Sequence, residues 1–97
     1  MAKGYWITAY RAVKDKDKLA KYVALAGPAI AAGGGRYVVR GEAAHVYEAG
    51  IKARTIVIEF DNVAAALACH DSPAYQEALA ALADGAERDI RIVEGVA

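Results

Sequence analysis

Three consecutive glycines at positions 33–35, followed by a segment with two arginines, constrain the fold of this chain more than any other feature. Glycine accepts the left-handed conformation that commonly ends a helix, so the glycines are predicted to end one. The segment Arg36–Glu42 is predicted to be the strand that follows. It could continue to Tyr47 through a bulge near Gly41. A helix must therefore stop, and a strand begin, at this junction.

The residues before the junction predict a strand and then a helix. Gly4–Ala12 places large apolar or aromatic groups on both faces, which is typical of a central strand covered on both sides. Asp15 and Asp17 favour a helix start, because carboxylates suit the positive end of the helix dipole. Proline removes a backbone hydrogen bond, so we expect Pro28 to kink or break this helix near Gly27. The predicted buried stripe consists of Leu19, Tyr22, Val23, Ala26 and Ile30.

The residues after the junction predict a second unit of the same kind. Arg54–Phe60 is rich in β-favouring residues and is the clearest strand. A short helix is predicted from Val63 to about Cys69. Ser72 and the proline after it restart the helix, which is predicted to stop at Gly85. Asp89–Glu94 alternates and is predicted to be the last strand.

The order β-α-β-β-α-β over a single domain, 1–97, predicts a ferredoxin-like α+β fold with an antiparallel sheet. Two helices cover only one face of four strands, so the other face would expose a large apolar patch, including Val38 or Tyr37. We therefore predict a homodimer packed sheet to sheet, as a dimeric α/β barrel. Such an interface would bury at least on the order of 1,200–2,000 Å² in total.

Composition narrows the possible partners. The 12 basic and 12 acidic residues balance and are scattered, which argues against a nucleic-acid partner. No segment reaches the roughly 18 apolar residues of a membrane span, and we expect no signal peptide. The lone Cys69 favours a reduced, cytoplasmic setting. The two histidines, His45 and His70, lack ligand spacing, so we expect no metal and no bound cofactor.

Five segments carry a resemblance to a known family: Gly4–Ile7, Gly34–Gly41, Arg54–Phe60, Ser72–Gln76 and Val93–Gly95. In this order they resemble the domain-of-unknown-function 1330 family of small bacterial proteins, within the dimeric α/β-barrel group. The resemblance implies the ferredoxin-like fold and the dimer, and no established activity. The wider group includes cofactor-free monooxygenases, isomerases, haem enzymes and regulatory ligand-binding domains, and fold alone does not choose among them.

Two arginines are the candidate anion-binding residues. Arg36 and Arg40 lie four apart on a strand, so both are expected on the same face. They could clamp a carboxylate, because guanidinium binds planar anions through two hydrogen bonds. Alternatively they are solvated edge residues, or one of them pairs with Glu59 or Glu42. Arg40 is the stronger candidate, because the glycine after it permits a bulge that would redirect its side chain.

Glu59 and His70 are the candidate catalytic residues. Glu59 could act as a general base or orient Arg40, and the alternative is a structural ion pair. His70 lies beside Ser72 and one turn from Tyr75, where it could move a proton near neutral pH. The alternative is an exposed residue at a helix end.

Aromatic residues complete the expected site. Trp6, Tyr10, Tyr37 and Tyr75 could wall a pocket between helices and sheet, or they could serve only packing. We therefore predict a small-molecule site in this cleft, where Arg40 and Arg36 hold an acidic group and Ser72 adds a contact. The predicted function is the binding of a small acidic or aromatic molecule there, with cofactor-independent oxygenase or isomerase chemistry as its extension. The alternatives are a non-catalytic binding or regulatory module, and a purely structural dimer.

Overall fold

Four strands and three helices alternate along residues 2–97, the part of the chain that this computed structural model describes. In chain order they are β1 (Gly4–Val13), α1 (Lys16–Ala32), β2 (Arg36–Glu42), β3 (Arg54–Phe60), α2 (Val63–His70), α3 (Pro73–Leu82) and β4 (Ala86–Glu94). The order confirms the predicted ferredoxin-like fold, with the second helix divided into two pieces.

The sheet is antiparallel, with strand order β2-β3-β1-β4. Strand β1 is central, as its two apolar faces predicted. Alternation along β1 and β3 sends Trp6, Ile58 and Phe60 toward the helices, where they are buried. The side chains of Ile7 and Val57, which lie opposite each other, occupy the face without helices, called the open face below.

Helix α1 begins where the acidic residues predicted. The Asp15 side chain accepts hydrogen bonds from the backbone N–H groups of Asp17 and Lys18, at 3.0 and 3.1 Å. Of the two outcomes expected at Pro28, the break does not occur, because the helix runs unbroken through it. Both Pro28 and Ala24, whose carbonyl loses its partner, are exposed, so water can bind that carbonyl.

The triple glycine ends α1, as predicted. The N–H of Gly35 donates to the carbonyl of Ile30 at 2.9 Å, and Gly34 takes a left-handed φ of 87°. Gly35 is required for a second reason. A Cβ at this position would lie 2.6–2.9 Å from side-chain atoms of Ile30, Ile58 and Phe60, so the turn can seat against the core only without a side chain.

Strand β2 differs from the prediction at two points. It ends at Glu42 rather than continuing to Tyr47, and its irregularity lies at Val38 rather than near Gly41. Tyr37 pairs with Ile58 and Val39 pairs with Val57, so Val38 is the extra residue of a β-bulge.

The bulge at Val38 separates the two arginines. Arg36 lies opposite Glu59, a residue of the open face, whereas Arg40 lies opposite Ile56, which faces the helices. The expectation that both arginines share a face is therefore wrong. The extra residue reverses the alternation between positions 36 and 40.

Strand β4 begins at Ala86, three residues before the predicted start at Asp89. The earlier start brings Arg88 into the sheet, directly opposite Tyr10 on β1. Arg88 then shares the helix-facing side of β4 with Ile90 and Ile92, because side chains two apart on a strand face the same way.

The core lies between the helices and the sheet. Its largest fully buried side chains are Trp6, Ile58, Phe60 and Tyr75. Trp6 meets Tyr75 edge to face, with ring centroids 4.7 Å apart, which is a favoured aromatic geometry. Val23 was predicted to be buried and is instead 46% exposed.

The open face carries apolar side chains that nothing in residues 2–97 covers. Val39 and Val93 are each 47% exposed, and Ile7 and Val57 are partly exposed. Ion pairs flank them, including Arg91 with Asp89 at 3.1 Å. An uncovered apolar centre with a charged rim is the surface that the predicted dimer requires.

Candidate small-molecule site

A cavity of about 190 Å³ lies between α1 and the sheet. Its floor is built from the helix-facing side chains of all four strands, and α1 forms its roof. The aromatic part of its wall consists of Trp6, Tyr10, Tyr22 and Tyr37. Every residue that β1 and β3 supply to the cavity has an even number, because side chains alternate between the two faces of a strand and the even positions face α1.

Three arginines converge on this cavity: Arg40 from β2, Arg54 from β3 and Arg88 from β4. No lining residue is Asp, Glu or His. Within residues 2–97, no carboxylate lies within 4.0 Å of any of the three guanidinium groups. Glu42 lies opposite Arg54 in the sheet but forms no ion pair with it. The cavity therefore carries an excess of positive charge.

Arg88 is held by tyrosine rings rather than by an acid. Its Cζ atom lies 4.7 Å from the ring centre of Tyr22 and 5.7 Å from that of Tyr10, within the range of cation–π attraction. Burial disfavours its charge, but the hydroxyl groups of Tyr22, Tyr75 and Tyr10 outweigh that effect, so the pKa of Arg88 lies above its ordinary value. Arg88 is thus a partly buried, permanent cation.

Arg40 stacks in the same way on Tyr37, with its Cζ atom 4.7 Å from the ring centre. Residues three apart on a regular strand would face opposite sides of the sheet. The bulge at Val38 turns both toward the helices, so the local irregularity of β2 assembles this half of the cavity. Burial raises the pKa of the Tyr37 hydroxyl, which keeps the phenol neutral near pH 7.

Tyr75 orients the hydroxyl group of Tyr22. The two oxygens lie 2.8 Å apart, and Tyr75 is 0% exposed with no second hydrogen-bond acceptor for its hydroxyl in residues 2–97. A buried hydroxyl proton needs an acceptor, so Tyr75 donates to Tyr22. Tyr22 lines the cavity and keeps its own proton for another acceptor. Burial and the neighbouring Tyr22 raise the pKa of Tyr75 far above its ordinary value, so it stays protonated.

A second hydroxyl donor lies in the floor. The indole Nε1 of Trp6 donates to the Oγ1 of Thr8 at 3.0 Å. Because Thr8 accepts in this bond, its own proton can be donated to an acceptor in the cavity. The polar side chains of the lining are therefore guanidinium groups and hydroxyls, a set that suits a ligand rich in acceptor atoms.

Only some of the predicted ligand-binding residues line the cavity. Trp6, Tyr37 and Arg40 line the cavity. Tyr75 lies behind the wall, in contact with Trp6 and hydrogen-bonded to Tyr22. Ser72 is the N-cap of α3: its Oγ accepts from the Tyr75 N–H and donates to the Cys69 carbonyl, and it does not line this cavity.

The other predicted residues lie outside the cavity. The ring of His70 packs at 5.4 Å from Trp6 and 5.2 Å from Tyr75, and its Nδ1 lies 3.0 Å from the Asp71 carboxylate. His70 therefore packs against the aromatic wall from the side away from the cavity and does not line it.

Arg36 and Glu59 lie together on the open face. The Arg36 Nη2 is 3.1 Å from Glu59 and 3.2 Å from Asp61, and the Tyr5 hydroxyl donates to Glu59 at 3.0 Å. The Tyr5 hydrogen bond and then the Arg36 guanidinium lower the pKa of Glu59. This geometry is that of an ion pair, and it separates Glu59 from Arg40.

Sequence reasoning missed Arg54 and Arg88 as cavity residues. Arg54 could have been found, because it lies two and four residues before Ile56 and Ile58 and alternation places all three on one face. Arg88 fell outside the predicted β4. Tyr22 was expected in the buried stripe of α1, and nothing in the sequence indicated its pairing with Tyr75.

Residues 2–97 contain neither a cluster of metal ligands nor a membrane-spanning helix. No group of three or more His, Cys, Asp or Glu residues in that range is placed to hold a metal ion. No helix in the same range is both long and apolar enough to cross a membrane.

A four-stranded antiparallel sheet with helices on one face and a cavity between the layers defines a ferredoxin-like α+β domain. The chain belongs to the family described as Domain of unknown function (DUF1330), whose family model matches residues 3–96. The resemblance inferred from the sequence is thereby confirmed. No curated protein matches the chain.

Several solved structures share the fold at low sequence identity. The methylated RPA0582 protein, of Rhodopseudomonas palustris, superposes with a TM-score of 0.77 at 16% identity, over 99% of this chain and 82% of its own. A dimeric ferredoxin-like protein of unknown function from Thermobifida fusca gives a TM-score of 0.63 at 21% identity, over 99% and 92%. A candidate antibiotic biosynthesis monooxygenase from Caulobacter crescentus gives 0.60 at 13%, over 99% and 91%.

Proposed function

We propose that this protein binds a small planar carboxylic acid in the cavity between α1 and the sheet. The observation that carries the proposal is the convergence of Arg40, Arg54 and Arg88 on an aromatic-walled cavity whose lining holds no acidic side chain. Guanidinium groups bind carboxylates through two parallel hydrogen bonds, and aromatic walls favour a flat apolar body.

The size of the cavity supports a single-ring ligand. An engineered apolar cavity of about 150 Å³ in another protein holds benzene. The cavity here, of about 190 Å³, exceeds that volume modestly and opens to solvent beside Arg40 and Arg54, which are exposed. A benzene ring with an acidic substituent is therefore a reasonable first probe.

The lining favours binding over proton transfer. General acid–base catalysis needs a group that exchanges protons near neutral pH. The cavity offers no His, Asp or Glu, and burial raises the pKa of both Tyr10 and Tyr37. We therefore propose a non-catalytic binding module as the first function.

Cofactor-independent oxygenase or isomerase chemistry is the second function proposed. It is supported by the guanidinium groups and the hydroxyls of Tyr22 and Thr8, which would stabilise an enolate oxygen. His70 and Glu59 lie outside the cavity, so the substrate would have to be acidic enough to lose its proton to water, with no residue acting as base.

We also propose that the protein is a cytoplasmic homodimer joined through the open face. The uncovered apolar centre around Ile7 and Val57 supports this, as does the dimeric relative from Thermobifida fusca. Light scattering at micromolar concentration should give twice the 10.2 kDa of one chain. Val57→Lys, which puts a charge in that centre, should give the mass of one chain. A wild-type monomer would refute the dimer.

The binding proposal is tested by thermal unfolding with benzoate and related acids. A ligand at 100 times its Kd stabilises the folded state by about 2.7 kcal/mol, which would raise the Tm of a domain this size by roughly 10–20 °C. Arg40→Ala should abolish most of that rise. Arg36→Ala is the matched control, because the bulge places Arg36 on the opposite face of the same strand.

Each variant is compared with its own unliganded Tm, because Arg36→Ala also removes an ion pair. The proposal fails if no acid in the series shifts the wild-type Tm. It also fails if Arg40→Ala responds to the acids as strongly as Arg36→Ala does.

A further inference from the structure

The cavity arginines approach from opposite sides. Arg40 lies on β2 and Arg88 on β4, the two edge strands of the sheet. Adjacent strands are about 4.8 Å apart, so these two strands are separated by about 14 Å. The side chains therefore reach the cavity from its two ends.

Different aromatic rings hold the two guanidinium groups. The head of Arg40 stacks on Tyr37 of β2, whereas the head of Arg88 stacks on Tyr22 of α1 and lies beside Tyr10 of β1. The strands that carry Tyr37 and Tyr10 are about two spacings, or about 10 Å, apart. One carboxylate cannot accept the paired hydrogen bonds of both groups.

The region between the two heads is mainly apolar, with the Thr8 hydroxyl as its polar group. In the sheet register Arg40 lies opposite Ile56, and Ile56 lies opposite Thr8. Ile56 and the neighbouring Ile58 form this part of the floor, and the tyrosine rings stand beside it. The cavity thus presents cations at two ends and an apolar surface in the middle.

We propose that the ligand is a dianion with its acidic groups at opposite ends of a flat apolar body, as in an aromatic dicarboxylate. This inference rests on the proposed function. One acidic group meets Arg88 and the Tyr22 hydroxyl at the inner end. The other meets Arg40, with Arg54 beside it, at the exposed mouth.

Charge balance distinguishes a dianion from a simple acid. With three cations and no acid in the lining, a monocarboxylate leaves one end of the cavity uncompensated. A second carboxylate at that end gains a charge-assisted hydrogen bond to a guanidinium group already fixed by stacking. Pre-fixed donors lose little conformational freedom on binding, so the second group should add affinity.

The test compares ligands of one shape and different charge by titration calorimetry at pH 7. Benzene-1,4-dicarboxylate and its 1,3- and 1,2-isomers are the dianions, 4-carbamoylbenzoate is the matched monoanion, and benzoate lacks the second group. We expect at least one dicarboxylate to bind at least about tenfold more tightly than 4-carbamoylbenzoate, which corresponds to about 1.4 kcal/mol.

Arg88→Gln and Arg40→Gln should each reduce the ratio of dicarboxylate affinity to 4-carbamoylbenzoate affinity from about tenfold to near one. Arg40 is exposed, so Arg40→Gln tests the inference even if Arg88→Gln does not fold. Equal affinity for dicarboxylates and monoanions in the wild type, or an advantage that survives in Arg40→Gln, overturns the inference and leaves the binding function standing. Failure of every acid to bind overturns both.

Discussion

The hydrogen bond between the hydroxyls of Tyr22 and Tyr75 predicts that Tyr22→Phe and Tyr75→Phe lower the free energy of unfolding by different amounts. Tyr75 is 0% exposed and Tyr22, at 7%, lines the cavity. Tyr22→Phe leaves the Tyr75 hydroxyl buried with no acceptor in residues 2–97. Tyr75→Phe removes the buried hydroxyl itself and leaves that of Tyr22 facing the cavity, where water can bind it.

The magnitudes follow from this asymmetry. A buried polar group left without a partner costs about 1–3 kcal/mol, whereas an ordinary hydrogen bond contributes about 0.5–1.5 kcal/mol net. Tyr22→Phe should therefore lower the free energy of unfolding more than Tyr75→Phe does. Since 1 kcal/mol shifts the Tm of such a domain by about 4–8 °C, the difference is measurable. Removing both hydroxyls should cost less than the sum of the single changes.

Urea unfolding followed by circular dichroism measures all four proteins of this cycle. Protein concentration must be held constant, because the stability of a dimer depends on it. The reasoning is refuted if Tyr75→Phe costs as much as Tyr22→Phe. It is also refuted if the double variant shows the simple sum of the two costs.

Three further predictions concern the turn after α1, the middle of α1 and the open face. Gly35→Ala should lower the free energy of unfolding by about 1–3 kcal/mol, because its Cβ would overlap the core. Gly27→Ala, whose new Cβ meets no atom within 4 Å, should raise the free energy of unfolding by about 0.5–1 kcal/mol. Urea unfolding measures both variants, and an equal effect of the two substitutions would contradict both predictions. Tyr5 and Arg36 lower the pKa of Glu59, so its stabilisation is present above the ordinary glutamate range and is lost as the pH falls through the lowered pKa. Glu59→Gln should therefore flatten the acid side of the stability profile, and an unchanged profile would count against this ion pair.

Local signals were sufficient for most of the fold. The N-cap at Asp15, the glycines after α1 and the Ser72-Pro73 start of α3 all satisfy backbone groups nearby in sequence, so short patterns identify them. The break expected at Pro28 does not occur because the cost of a proline in a helix depends on whether water can reach the freed carbonyl, here that of Ala24. The exposure of a carbonyl is set by tertiary structure, so the local sequence does not predict it.

The site was less predictable because it depends on which face of the sheet each side chain occupies. Trp6 and Tyr37 were expected as walls on chemical grounds, and Arg40 as an anion ligand. Arg54 and Arg88 required the register of three strands, and Arg88 also required the true start of β4. Nothing about residue types near Val38 distinguishes a bulge there from one near Gly41.

The extra residue at Val38 also determines how insertions and deletions would act on this protein. Removing a single residue between positions 37 and 39 would leave Arg36 and Arg40 three apart on a regular strand, so Arg40 would still face the cavity. Flattening the bulge while keeping every residue would instead turn Arg40 to the face proposed to meet a second copy, and a ligand contact would become a subunit contact. When relatives are compared, an arginine in β2 is therefore equivalent to Arg40 only if the strand before it carries a bulge, or is one residue shorter and has none.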